Sequence, residues 1–128
     1  MRLRIQNQIQ LDQEVEIFDQ FYEAELKEKA GYRYLIYQNE EDEKVILKLN
    51  QEEFQMTRFS TSRNQMIFSP KSRRSAWITS PMGLQEIETE TDLYELGESE
   101  LTLVYKLYPL EGVTPFASYA MKISWSED

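Results

Sequence analysis

Four acidic side chains at alternate positions are the first candidates for chemistry in this sequence. The stretch LQEIETETDLYELG carries Glu86, Glu88, Glu90 and Asp92 in one regular row. Such a row suits a metal site, a pair of catalytic acids or the solvent-exposed side of a strand. Side chains two residues apart on a strand are separated by about 6.5 Å, whereas the oxygen ligands of one calcium ion lie about 2.3–2.6 Å from it. The spacing therefore disfavours a shared metal ion.

The residues between the acids decide between the two remaining uses. These positions carry Ile87, Thr89, Thr91 and Leu93, and they form the face of this stretch that can pack on a core. The acids are therefore predicted to face water and to pair with cations on neighbouring strands. A glycosidase-type pair would instead need a concave site and one carboxyl group with a raised pKa.

Two hairpins are predicted on either side of this strand, with turns at residues 80–83 and 97–99. The cross-strand pairs that follow are Ala76 with Ile87, Arg73 with Glu90, Lys71 with Asp92, Thr91 with Tyr105, Glu90 with Lys106 and Leu93 with Leu103. Both registers match apolar with apolar and acid with base. A slip of one residue in either hairpin would place a leucine opposite a carboxylate.

The composition limits the classes of function. The chain of 128 residues fits one domain, residues 1–128, and it contains neither Cys nor His. It therefore has no thiolate nucleophile, no Cys-based zinc site and no imidazole for a triad or a general base. We expect no cofactor and a protein that is not an enzyme, since catalysis would have to rely on carboxylates, Lys, Tyr or Ser. The net charge of -9 opposes nucleic-acid binding.

A period of two dominates the chain and predicts strands. In residues 1–11 the odd positions read Met, Leu, Ile, Asn, Ile, Leu, and the even positions are Arg and Gln. Residues 117–125 show the same alternation, and short runs rich in β-branched and aromatic residues lie between the two. Every Gly and Pro falls between runs, which is typical of an antiparallel sandwich or barrel. Residues 12–31 differ, because their apolar spacing and terminal Gly predict a helix.

One cation falls on a predicted apolar face. Phe54 and Met56 share a side of their strand with Arg58. An unpaired buried guanidinium is costly, so Arg58 needs a carboxylate, backbone carbonyls, water or an anionic ligand. Two interpretations stay open. Arg58 either reaches out at a barrel mouth or pairs with a protein carboxylate, or it anchors the carboxylate or phosphate of a ligand inside an apolar cavity.

The same alternation supplies further candidate ligand-binding residues. If the sheet closes, Arg74 and three hydroxyl groups converge on the interior that holds Arg58. Tyr34 and Tyr37 point to opposite faces, so at most one of them lines that interior, and Tyr34 is the candidate. The predicted ligand-binding residues are Arg58, Arg74, Thr89, Thr91, Tyr105 and Tyr34. No catalytic residue and no metal ligand is predicted.

Several short motifs follow one another over residues 32–108. They are YLIYQNE, KVILKL, TRFS with Arg58, SPMG, ETET with Thr91 and LTLVYKL with Tyr105. In order and spacing they resemble the YwiB-like family of small uncharacterised calycin-type β-barrels of Gram-positive bacteria. The chain departs from the family pattern in lacking a Gly after TRFS and in carrying Met82 where an aromatic residue is usual.

The resemblance implies an all-β fold, an antiparallel meander closed into a calycin/lipocalin-like β-barrel of about 8–10 strands. It implies that residues 14–29 are strand, and we adopt this over the helix that the spacing predicts. It carries no activity. Relatives of such barrels hold small apolar or amphipathic molecules, which is an expectation from fold alone.

Two functions from different classes remain open. The first is a non-enzymatic barrel that binds a small amphipathic or anionic molecule inside, with Arg58 as anchor. The second is a protein–protein interaction module with a side-chain-filled barrel, which would use the basic segment 63–74 or the acidic outer sheet. We expect no nucleic-acid or membrane partner. Because no apolar run approaches the ~18 residues of a membrane span, the cytoplasm is the expected location.

Overall fold

The chain forms one antiparallel sheet. In the computed structural model, residues 1–127 are described and contain eleven strands. These strands are β1 Arg2–Leu11, β2 Glu14–Glu23, β3 Glu25–Lys29, β4 Tyr32–Gln38, β5 Lys44–Leu49, β6 Phe54–Phe59, β7 Arg63–Phe68, β8 Arg74–Ser80, β9 Gly83–Leu96, β10 Glu100–Pro109 and β11 Ala117–Ser126. The hydrogen-bonded order runs β2, β1, β11, then down through β10 to β3, so from β3 to β11 each strand pairs with the next.

The all-β fold class predicted from the sequence is confirmed. The meander curls into a half-barrel consistent with a calycin-like barrel, with eleven strands in the described residues where about 8–10 were expected. The strands that end the hydrogen-bonded order, β2 and β3, are consecutive in the chain, with Ala24 between them. The Ala24 amide donates to the Met1 carbonyl at 2.8 Å. The chain thus passes directly from one border of the sheet to the other.

The helix predicted from apolar spacing in residues 12–31 is wrong, and the strand implied for residues 14–29 is confirmed. β2 pairs with β1 along its whole length, and β3 pairs with β4. The segment is extended because it supplies backbone partners to two strands whose edges would otherwise stay unpaired. Within residues 1–127 no helix has the length and apolar character needed to cross a membrane.

Inward side chains of nine strands pack into an apolar core. Its large buried members include Leu3, Leu35, Leu47, Leu49, Phe54, Phe68, Leu101, Leu103, Ile123 and Trp125. The Phe54 and Phe68 rings stack with centroids 5.5 Å apart, and Phe68 lies 4.4 Å from the Tyr105 ring. Each fully buried side chain of this size stabilises the fold by about 1.5–3 kcal/mol. The inward positions are those that the period of two predicts.

The β8–β9 hairpin has the predicted register. Ala76 lies opposite Ile87, as expected from a tight turn after β8. Arg73, which precedes β8, reaches Glu88 rather than Glu90, with Nη2 3.5 Å from Oε1. The predicted pairing of Arg73 with Glu90 is therefore wrong by one step along the outer face.

The β9–β10 hairpin agrees with the prediction until a bulge intervenes. Thr91 lies opposite Tyr105 as predicted. Leu93 does not lie opposite Leu103, because the register shifts between these positions and Asp92 is the extra residue of a β-bulge. Beyond the bulge the inward set of β9 changes from odd to even positions, so the predicted face is wrong there.

The acidic row of β9 faces outward, as predicted. Ile87 and Thr89, which alternate with the acids, are buried. The acids meet partners on neighbouring segments: Glu86 the Ser75 hydroxyl at 2.9 Å, Glu88 the Arg73 guanidinium at 3.5 Å, Glu90 the Tyr108 hydroxyl at 3.4 Å and Asp92 the Lys106 ammonium at 3.1 Å. Asp92 thus pairs with Lys106 and not with Lys71. Partly exposed pairs of this kind contribute at most about 1 kcal/mol each.

Candidate functional site

A cavity of about 490 Å³ lies on the inward side of the sheet. Strands β1, β2, β4, β6, β7, β10 and β11 and the loop between β4 and β5 supply its walls. Its lining residues are Ile5, Asn7, Phe18, Gln20, Tyr22, Tyr37, Glu40, Met56, Met66, Tyr105, Tyr119 and Met121. The volume falls in the range of about 300–1,000 Å³ that small-molecule sites occupy.

Along β1 and β11, the inward-facing side chains change from core residues to residues that line the cavity. In β11, Ile123 and Trp125 are core residues, Met121 belongs to both the core and the cavity lining, and Tyr119 lines the cavity. In β1 the row continues past buried Leu3 into cavity residues. Leucine and tryptophan fill the space between strands. Tyrosine carries a polar tip and methionine adapts its shape, so the second set suits a cavity wall.

Two pairs of tyrosine rings form opposite parts of the wall. Tyr22 of β2 and Tyr37 of β4 meet where the borders of the sheet approach each other, with ring centroids 4.5 Å apart. Tyr105 and Tyr119, which are neighbours in β10 and β11, stack at 4.7 Å with an interplanar angle of 4°. The cavity wall therefore contains four tyrosine rings that pack in two pairs.

The polar groups of the lining are four tyrosine hydroxyls and the side chains of Asn7, Gln20 and Glu40. The Tyr22 hydroxyl donates to Glu40 Oε2 at 2.8 Å. Asn7 Oδ1 is buried and accepts no hydrogen bond from the described residues. A buried carbonyl-type oxygen without a donor is unfavourable by about 1–3 kcal/mol, and a bound molecule with a donor would satisfy it.

The cavity tyrosines are neutral. Burial, helped by the adjacent Glu40 carboxylate, raises the pKa of Tyr22 to about 12. Burial also raises the pKa of Tyr37, Tyr105 and Tyr119 above the ordinary tyrosine value. These side chains are therefore uncharged at neutral pH. Among the described residues that line the cavity, Glu40 is the charged one.

Arg58 does not lie inside the cavity. Its backbone has the predicted inward register, opposite Asn64, but its side chain is 46% exposed and its Nε lies 3.6 Å from Glu43 Oε1. The predicted interior position is corrected to a position at the rim. Near the end of β6 the long side chain reaches water and a protein carboxylate, which avoids the cost of desolvation. Burial raises the pKa of the Tyr37 hydroxyl, and the nearby Arg58 charge opposes that rise.

The other interior candidates are only partly brought together. Tyr105 lines the cavity. Thr91 lies beside it on β9, with Oγ1 buried and without a hydrogen-bond partner among the described residues. Thr89 donates to a backbone carbonyl of β7 at 2.6 Å, which is a structural contact. Arg74 Nη1 lies 3.1 Å from Glu53 Oε2, and the pair is outside the cavity lining.

Tyr34 lies on the outer face, and its assignment to the interior is corrected. It stands opposite Lys48, whose Nζ lies 5.9 Å from the Tyr34 ring centroid. The neighbouring Leu35 is fully buried, so strand alternation directs Tyr34 outward and Tyr37 inward. Of the two tyrosines, Tyr37 lines the cavity.

Of the twelve lining residues, Tyr105 alone was among the predicted ligand-binding residues, and three of the polar ones that were missed differ in the signal they left in the sequence. Asn7 had a signal, because it is the polar member of an otherwise apolar row. Tyr22 was obscured by the helix-like spacing around it. Glu40 belongs to the acidic loop NEEDE, where no spacing distinguishes it from its neighbours. Its place at the cavity depends on the approach of β2 to β4.

Comparison with known proteins agrees with this fold. Residues 3–123 match the family model described as a domain of unknown function, DUF1934. The crystal structure of the ywiB protein from Bacillus subtilis is similar to this chain with a TM-score of 0.74 and 17% sequence identity, over 98% of this chain and 91% of that chain. No curated protein matches the chain. The resemblance to YwiB-like proteins is confirmed, and at this identity the likeness shows the fold alone.

Proposed function

We propose that this chain, which belongs to the DUF1934 family of domains of unknown function, binds a small amphipathic molecule in the cavity of its half-barrel. The observation that carries the proposal is the cavity of about 490 Å³, walled by aromatic and methionine side chains and containing the unpartnered Asn7 Oδ1. A mostly apolar cavity with a few polar groups is the usual form of a small-molecule site.

The lining suits a molecule with an apolar body and a polar end. Met56, Met66 and Met121 offer adaptable apolar contacts. Asn7 offers a hydrogen-bond acceptor in the same cavity. Binding rather than catalysis is proposed, because these side chains pack and form hydrogen bonds. The cavity favours this function over the interaction module with a filled barrel.

The proposal also includes a changed role for Arg58 and the cytoplasmic location expected from the sequence. Arg58 acts at the rim, where an anionic head group would have to compete with Glu43 for the guanidinium. A cytoplasmic location is proposed as well, since a chain without cysteine needs no oxidising compartment.

The test is native mass spectrometry of the protein purified from its own host, together with thermal-shift measurements on octyl-chain amphiphiles. A retained molecule or a raised Tm is expected. A bound ligand at 100 times its Kd stabilises the folded state by about 2.7 kcal/mol, which is readily measured.

A matched pair of variants locates the binding. Gln20→Trp places a large ring in the cavity lining, and we expect it to abolish the thermal shift. Gln8→Trp makes the same change on the exposed outer face, beside a shallower depression of about 290 Å³, and should leave the shift unchanged. The proposed site would be refuted if the protein retained no molecule and no amphiphile raised its Tm. It would also be refuted if Gln8→Trp, and not Gln20→Trp, abolished the thermal shift.

A further inference from the structure

The charge of the cavity differs from the one that the sequence suggested. Arg58 was expected to favour an anion, yet its guanidinium lies at the rim beside Glu43. Among the described lining residues there is no Lys or Arg, and Glu40 is the acidic one. An anionic head group in the cavity would therefore meet a carboxylate and no lining cation to offset it.

We propose that the preferred ligand is an organic cation, an amphiphile whose ammonium group lies against the tyrosine rings near Glu40. This inference rests on the proposed function and specifies the chemical class of the ligand. It reverses the sign of the charge expected from Arg58.

The aromatic walls are the first support. A cation over the face of a tyrosine ring is attracted by the negative charge of that face, and the attraction increases when water is excluded. Tyr22 and Tyr37 form one aromatic wall, and Tyr105 and Tyr119 form another. Alkylammonium groups are weakly hydrated and fit between such rings more readily than a compact ion does.

The placement of Glu40 is the second support. Its Oε2 accepts the Tyr22 hydroxyl at 2.8 Å, which holds the carboxylate beside the ring pair of Tyr22 and Tyr37. Oε1 carries no hydrogen bond from the described residues, and the Glu40 side chain is exposed at the cavity, where a cation from solvent can reach it. The aromatic faces and the carboxylate thus occur together, whereas an acidic surface residue alone would specify nothing.

The wider field acts in the same direction. The chain carries a net charge of -9, which raises the local concentration of cations around it. Glu16 on β2 lies close enough to Tyr119 to help raise its pKa, after the larger effect of burial. The Arg58 charge opposes a cation at Tyr37, but its pairing with Glu43 weakens that opposition.

The test compares three probes with the same alkyl chain: octyltrimethylammonium, 1-octanol and octanoate. Isothermal titration calorimetry with each, below its aggregation concentration, gives three values of Kd. We expect octyltrimethylammonium to bind about 5- to 30-fold more tightly than 1-octanol, the range that cation–aromatic attraction supplies. Octanoate should bind most weakly of the three.

Variants that remove one charge distinguish the local effect of the Glu40 carboxylate from the effect of the net charge of the whole protein. Glu40→Gln is expected to weaken octyltrimethylammonium binding about 2- to 5-fold and to leave 1-octanol binding unchanged. Glu41→Gln removes the same charge from the next residue, which is exposed like Glu40 but lies outside the lining, and should have less than a twofold effect. Arg58→Gln should strengthen octyltrimethylammonium binding, whereas an anion anchor at this position predicts loss of octanoate binding.

The remaining outcomes overturn either the cationic ligand alone or the cationic ligand and the proposed function together. Tighter binding of octanoate than of octyltrimethylammonium, or equal effects of Glu40→Gln and Glu41→Gln, would refute the cationic ligand and leave the cavity as an amphiphile site. Binding of none of the three probes would refute the cationic ligand and the proposed function together.

Discussion

Two threonines on β9 provide a sharp test of the packing described above, because one hydroxyl has a partner and the other has none. Thr89 is 0% exposed, and its Oγ1 donates to the Ile67 carbonyl at 2.6 Å. Among the described residues, β7 pairs with β8 only at Gln65 and Met66. At Ile67, beyond this pairing, the Thr89 hydroxyl of β9 donates the hydrogen bond to β7. Thr91 Oγ1 is buried without a partner among the described residues.

Replacing each threonine with the nearly isosteric valine should have opposite effects. In Thr89→Val the hydrogen bond is lost and the Ile67 carbonyl stays buried, which lowers the free energy of unfolding by about 1–3 kcal/mol. In Thr91→Val an unsatisfied hydroxyl is replaced by a methyl group, so the free energy of unfolding stays unchanged or rises by about 1 kcal/mol. The two variants should therefore differ by roughly 1–4 kcal/mol.

Urea unfolding followed by tryptophan fluorescence measures this difference. With an m-value of about 1–3 kcal/mol per molar urea, the two midpoints should differ by roughly 1 M at equal m. Thr89→Ser keeps the hydroxyl and should retain most of the stability that Thr89→Val loses. Equal losses in Thr89→Val and Thr91→Val would refute the assignment of partners. A loss in Thr89→Ser as large as in Thr89→Val would show that the buried methyl group of Thr89 contributes as much to stability as its hydroxyl.

Three further changes have defined outcomes. Gly83→Ala should lower the free energy of unfolding by about 1 kcal/mol, because Gly83 has φ +106°, a backbone conformation that disfavours alanine. An added Cβ there meets open space, so the cost comes from the backbone and not from a clash. Gly97 has an ordinary φ, so Gly97→Ala should lower the free energy of unfolding less in the same assay. Burial raises the pKa of Tyr105, so the stability that its neutral hydroxyl contributes is complete below the unfolded-state pKa of about 10 and is lost as the pH rises above that value. In urea unfolding between pH 8 and 11.5, the free energy of unfolding of Tyr105→Phe should therefore decline less steeply with pH than that of the unchanged protein. Arg73→Leu removes the 3.0 Å hydrogen bond that the guanidinium donates to the Gly112 carbonyl in the loop between β10 and β11. Chymotrypsin should therefore cleave this loop several-fold faster in the variant. An unchanged cleavage rate would contradict a role for Arg73 in holding the loop.

The side to which a strand residue points was predictable where the alternation was unbroken. Ile87 was expected inward and the acids beside it outward, and both are found so, because alternation is a local property of extended backbone. The prediction failed after Asp92, where one extra residue exchanges the two faces. A β-bulge leaves little mark on the sequence, since Asp92 continues the row of acids without interruption. The helix predicted for residues 12–31 failed for a related reason, because spacing alone does not report which sheet edges need a partner.

Composition and alternation, both properties of neighbouring residues, already indicated an antiparallel sandwich or barrel, the inward and outward rows of unbroken strands and a chain without His or Cys, whereas the strand at residues 14–29 was implied only by the family resemblance. The candidate site depended on distances across the half-barrel. Tyr22 and Tyr37 meet because the chain passes from one border of the sheet to the other at Ala24, which also brings Glu40 to the cavity. Whether an inward side chain such as Arg58 reaches solvent depends on its place along the strand and on the curvature of the sheet. Those quantities arise from contacts between residues far apart in the chain, and no local pattern encodes them.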